Sequence, residues 1–115
     1  MRSRCFVICD SEIVYAEKLS FILGKKIDFP VYVCSAKEQI EKIANEIPIE
    51  ILLLDERFAE KVQTDIARKV IYLTRERGKV EEKQAIYKYQ SADNILSDIL
   101  NVYAEEDRDI LRQNR

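Results

Sequence analysis

Four side chains able to do chemistry stand where apolar runs of this sequence stop. Asp10 follows Cys5-Phe6-Val7-Ile8-Cys9, Asp55 follows Ile51-Leu52-Leu53-Leu54, Thr74 ends Lys69-Val70-Ile71-Tyr72-Leu73-Thr74, and Lys88 follows Ala85-Ile86-Tyr87. Two carboxylates, a hydroxyl and an ammonium gathered on one edge suit phosphoryl chemistry. One carboxylate serves as nucleophile, another helps hold Mg²⁺, and the hydroxyl and the cation bind the transferred oxygens. Each residue alone also has a plainer reading. Asp55 can end a strand and cap the turn after it, Thr74 is a β-branched residue suited to a strand end, and Lys88 reads as a solvated lysine. The chemistry depends on whether the four runs are parallel strands whose ends lie side by side.

The run ending at Asp55 sets the frame. Four consecutive aliphatic residues fit a strand buried on both faces, as in the middle of a parallel sheet, and ligands collect at the carboxyl edge of such sheets. Cys5–Cys9 reads as a first strand. The helix after it takes Ser11 as its N-cap, buries Ala16, Leu19 and neighbours at spacings of three and four, and stops at Gly24. Pro30 opens a second strand, 31–34. Ser35-Ala36-Lys37-Glu38 has the form of a capping box for a helix that buries Ile40, Ile43, Ala44 and Ile47 and cannot pass Pro48. The third strand follows, then a short helix over Phe58, Val62, Ile66 and Ala67, a fourth strand over 69–74 and a weaker fifth over 85–87. Ser91-Ala92-Asp93-Asn94 starts a last helix with the stripe Ile95, Leu96, Ile99, Leu100, Val102 and Tyr103. Alternation of this kind predicts a flavodoxin-like α/β domain, a parallel five-stranded sheet with helices on both faces. The connection from Thr74 to Ala85 is too short for a full crossover helix, so the fourth helix is expected to be shortened or missing. The domain is expected over 1–104, with 105–115 a polar helical extension or a linker to a following domain.

Bulk composition narrows the function classes. Nineteen Lys and Arg against 21 Asp and Glu give a net charge of −2 with both signs interspersed, which is no basic footprint for nucleic acid. No run approaches a membrane span, and a soluble cytoplasmic domain is the default. The three cysteines, Cys5, Cys9 and Cys34, all lie in apolar stretches and read as buried free thiols. Cys5 and Cys9 would stand about 13 Å apart on one extended strand, too far to share a metal ion. Gly24 and Gly78 are the only glycines, so the chain has neither a Walker motif nor a glycine-rich phosphate loop for a flavin or nucleotide.

With the strand ends in place, the sequence resembles the receiver domain of two-component response regulators over nearly its whole length. The segment Ile86-Tyr87-Lys88-Tyr89-Gln90-Ser91-Ala92-Asp93-Asn94-Ile95 matches the family's lysine turn and last helix. The resemblance implies Asp55 as phospho-acceptor, Thr74 as switch hydroxyl, Lys88 as the phosphate-pairing lysine and Asp10 as a metal-site acid, with Mg²⁺ held by Asp10, Asp55 and Glu12. Three departures stand out. A single clear acid, Asp10, replaces the usual adjacent pair, and Mg²⁺ is expected to bind weakly if at all. Arg75 replaces a small residue after the switch hydroxyl, where it either crowds the phosphate pocket or serves as a counterion for Asp55. Tyr89 replaces the proline after the lysine. The shortened pattern, with Tyr15 early in the first helix, is similar to the atypical receiver domain of CpaE/TadZ-type proteins, MinD/ParA-like ATPases of pilus assembly and localisation. It implies a non-enzymatic regulatory module that contacts an ATPase domain of the same full-length protein or forms a homodimer, through an apolar patch beside the fifth strand. The alternative is a working phospho-receiver with Asp55 phosphorylated in a Mg²⁺-dependent reaction.

Overall fold

The computed structural model describes residues 4–76 and 84–112, with the side chains of 103–112 left aside. Strands β1 (Cys5–Cys9), β2 (Val31–Cys34), β3 (Ile49–Asp55), β4 (Lys69–Thr74) and β5 (Ala85–Tyr87) form one sheet in the order β2-β1-β3-β4-β5. All four pairings are parallel, so the fold is the expected flavodoxin-like α/β sheet. The pleat sorts the apolar residues onto two faces. Phe6, Ile8, Ile51, Leu53, Ile71, Leu73 and Ile86 pack under helices α1 (Ile13–Gly24) and α3 (Ala92–Arg112). Cys5, Val7, Cys9, Leu52, Leu54 and Val70 pack under helix α2 (Lys37–Glu46) and residues 58–67. β3 is buried along its whole length, as its aliphatic run requires.

Three local expectations need correction. No continuous helix forms over Phe58–Ala67. Two 3₁₀ turns, Glu56–Phe58 and Thr64–Ile66, flank an extended Gln63, and still bury Val62 and Ala67. The apolar spacing is helical, but Thr64 and Asp65 are weak helix formers that favour turns, and the core needs only two anchors from this segment. At α2 the cap shifts by one residue. Ala36 holds the N-cap position, and Gln39 Oε1 accepts from the amides of Ser35 (2.7 Å) and Ala36 (3.1 Å), a role expected of Glu38. At α1 the N-cap position falls on Glu12, and Ser11 is used elsewhere, as described below.

The expected shortening of the fourth helix lies in residues 77–83, outside the described residues. The patch expected beside β5 borders on residues outside the described ones. Among the described residues, Ala85 and Tyr87 are half-buried, Tyr89 after β5 and Leu100 on α3 are exposed, and Ile13, Val14, Phe21 and Ile22 are exposed on α1. α3 continues without a break through the boundary drawn at 104/105.

At the amino edge, β1 passes from Cys5 opposite Ile49 to Phe6 opposite Ile51, so Glu50 is the extra residue of a bulge. Its buried carboxylate lies 3.1 Å from Arg4 and 3.2 Å from Arg68, which strap three segments together. The three thiols are free and buried, and burial pushes Cys5 and Cys34 up to about 11 and Cys9 to about 12. A thiol reagent should therefore leave the native protein unmodified and titrate all three cysteines only once it is unfolded. Leu53→Ala, at the centre of the sheet, should lower the urea midpoint by the equivalent of about 2–5 kcal/mol with little change in slope.

Candidate functional site

The sheet register brings the four strand ends together. Cys9 pairs with Leu54 and Asp55 with Leu73, so Asp10 and Asp55 emerge side by side. Thr74 pairs with Tyr87, and the Lys88 amide donates to the Thr74 carbonyl at 2.9 Å, carrying the last pairing into the loop. All four side chains are buried. Among them, Lys88 pairs with Asp10, while Thr74 and Asp55 take other partners.

Lys88 turns to Asp10. Its Nζ lies 2.8 Å from both Asp10 oxygens and 3.1 Å from Glu12 Oε1. The ring of Tyr15 stands 4.5 Å from the same nitrogen, and the Tyr15 hydroxyl donates to the Lys88 carbonyl at 2.8 Å. Thr74 turns to Glu56, donating its hydroxyl to Oε2 at 3.0 Å, while the Arg75 amide donates to the same oxygen at 3.1 Å. Neither Lys88 nor Thr74 is bonded to Asp55.

Asp55 is instead held by four other donors. Oδ1 accepts from the Arg57 amide at 3.1 Å and from Arg75 Nη1 at 3.2 Å. Oδ2 accepts from the Ser11 amide at 3.2 Å and the Ser11 hydroxyl at 2.8 Å. Of the two roles open to Arg75, the structure shows the counterion. Burial works to raise the Asp55 carboxyl, but the Arg57 amide, Arg75 and Ser11 outweigh it and hold it at about 2. Burial likewise works against the charged Arg75, and Asp55 reverses this and raises it above its ordinary value.

Glu12 joins the two halves. Its oxygens lie 3.1 Å from Lys88 and 3.4 Å from Arg75, and accept from the Tyr89 hydroxyl at 3.1 and 2.8 Å. Tyr89 and Lys88 hold its carboxyl below the usual range. The result is a chain of alternating charge, Asp10, Lys88, Glu12, Arg75 and Asp55. Both aspartates also bind the amide two residues on, Glu12 for Asp10 and Arg57 for Asp55, so the turn-capping reading of Asp55 holds beside the site reading.

This donor set does not fit Mg²⁺. The ion takes several oxygens in near-octahedral array, but both Asp10 oxygens face an ammonium and the Asp55 oxygens are fully engaged. Among the described residues, no group of three or more acids or thiols is arranged to hold a metal ion.

The sequence reading missed Ser11, Glu56 and Tyr89 as partners in the site. Ser11 and Glu56 are sequence neighbours of the two aspartates, a signal that was present but carries no direction for a side chain. Tyr89 stands out in the sequence only as the residue in place of a proline, yet its hydroxyl bonds Glu12. Three comparisons with known proteins, against family models, curated proteins and solved structures, return no match. No described helix is long and apolar enough to cross a membrane.

The low Asp55 carboxyl has a pH consequence. A carboxyl depressed in the folded state contributes stability above its unfolded value near 4 and loses it as pH falls toward about 2. Asp55→Asn should therefore flatten the dependence of stability on pH between about 4 and 2 by on the order of 2 kcal/mol, measured by urea unfolding across that range.

Proposed function

We propose that this domain is a receiver-like contact module whose aspartate site is a fixed structural lock and not a phosphorylation switch. The saturation of Asp55 carries the reading. A carboxylate has about four lone-pair positions, and Ser11, Arg57 and Arg75 occupy all four. Attack on phosphorus needs one of them free. The same donors hold its carboxyl below the ordinary value, which makes it a weaker base. Thr74 and Lys88, which would have to receive the transferred oxygens, are bonded to Glu56 and Asp10.

A module without a chemical switch acts through its surface. Ile13 and Val14, exposed at the start of α1 beside this edge, and Phe21 further along the same helix support a protein partner. In this reading the partner is a MinD/ParA-like ATPase domain of a pilus-assembly or localisation system, supported by the shortened receiver pattern in the sequence.

Incubation with acetyl phosphate and Mg²⁺, followed by intact mass analysis beside Asp55→Asn, tests the reading. No mass gain is expected on the folded protein. A labile adduct of one phosphoryl group that depends on Asp55 would overturn it in favour of a working phospho-receiver.

A further inference from the structure

We infer that Arg75 is the resident cation of this site and that, while it is in place, Asp10, Glu12 and Asp55 take up no divalent metal ion. The inference rests on the lock reading above and names what keeps the lock closed.

Asp10 and Asp55 are buried and Glu12 is partly exposed beside them, and carboxylates gathered at one edge in this way need positive charge between them. Two side chains supply it, and they are held differently. Lys88 is wholly buried, with Asp10 and Glu12 around its ammonium and the Tyr15 ring against it. Arg75 lies nearer the surface, with one fifth of its side chain exposed, and spans Glu12 and Asp55 with separate guanidinium nitrogens. Its backbone amide is fixed by Glu56, so the side chain starts from a set position. A planar guanidinium satisfies two carboxylates with little loss of freedom per bond.

A divalent ion approaching from solvent meets this guanidinium at the place where Glu12 and Asp55 face each other. To bind, it must displace Arg75, shed water and sit beside the Lys88 ammonium. Magnesium gives up its water reluctantly, so the exchange is unfavourable. Removing the guanidinium alone leaves Glu12 and Asp55 without their shared counterion. Asp10 is then one ammonium away from Glu12, and a cation has carboxylate oxygens to join.

Mn²⁺ is a suitable probe because its free form is read directly by electron paramagnetic resonance. The intact chain should take up none at millimolar concentrations. Arg75→Ser should bind at least roughly tenfold more tightly than the intact chain, and adding Asp55→Asn should abolish the gain. Arg75→Gln, neutral and closer in size, replaces the serine variant if that one fails to fold. Uptake of Mn²⁺ by the intact chain that Asp55→Asn abolishes would overturn the inference, as would a folded variant lacking Arg75 that binds no better. The two readings fail separately. Mn²⁺ uptake without a phosphoryl adduct removes this inference and leaves the contact module, whereas a phosphoryl adduct on Asp55 removes the lock itself.

Discussion

The carboxyl edge of this domain depends on one buried ion pair. Lys88 and Asp10 are both sealed from water, and both oxygens of the aspartate meet the ammonium at 2.8 Å. Breaking a buried pair of this kind costs about 3–5 kcal/mol, because the remaining charge has no counterpart. The pair therefore fixes where β5 leaves the sheet and where the chain after β1 turns into α1. Tyr15 adds a second tie between the same two places, through its hydroxyl on the Lys88 carbonyl and its ring against the ammonium. Lys88 makes no bond to Asp55, which Ser11, Arg57 and Arg75 hold instead.

The other half of the site follows from that commitment. With Lys88 turned to Asp10, the charge of Asp55 is met by Arg75, and Glu12 bridges the two cations. Thr74 bonds to Glu56 and pins the start of the loop after β4. A phosphate-driven switch needs a hydroxyl and an ammonium that can move toward a new dianion. Here both are engaged with carboxylates already in place, so one arrangement is built into the ground state. The residue types of a phosphoryl site are present, and each of them is bonded to a protein group already in place.

The fold was legible in the sequence to a large degree. Each of the five strands lies where a short apolar run predicted it, most plainly β1 and β3, because a strand buried on both faces has little choice of residue. Helix boundaries were less legible. Capping depends on a local competition among several polar side chains, and Gln39 took the place expected of Glu38 while Ser11 was drawn off to Asp55. The segment 58–67 kept its buried anchors but not its helix, since spacing reports which residues are inside and not which hydrogen bonds form.

For the site, the sequence by itself determined which groups would meet. Asp10, Asp55, Thr74 and Lys88 end parallel strands, and parallel pairing brings their backbones to one edge. Only the tertiary structure decided who pairs with whom. Asp10 and Glu12 compete for Lys88, and Arg75 lies within reach of both Glu12 and Asp55, so the partners are chosen by rotamers and by neutralisation of charge at a partly buried edge. Those are differences of a few ångströms between side chains far apart in the chain. A linear pattern of residue types does not encode them, and the packed fold does.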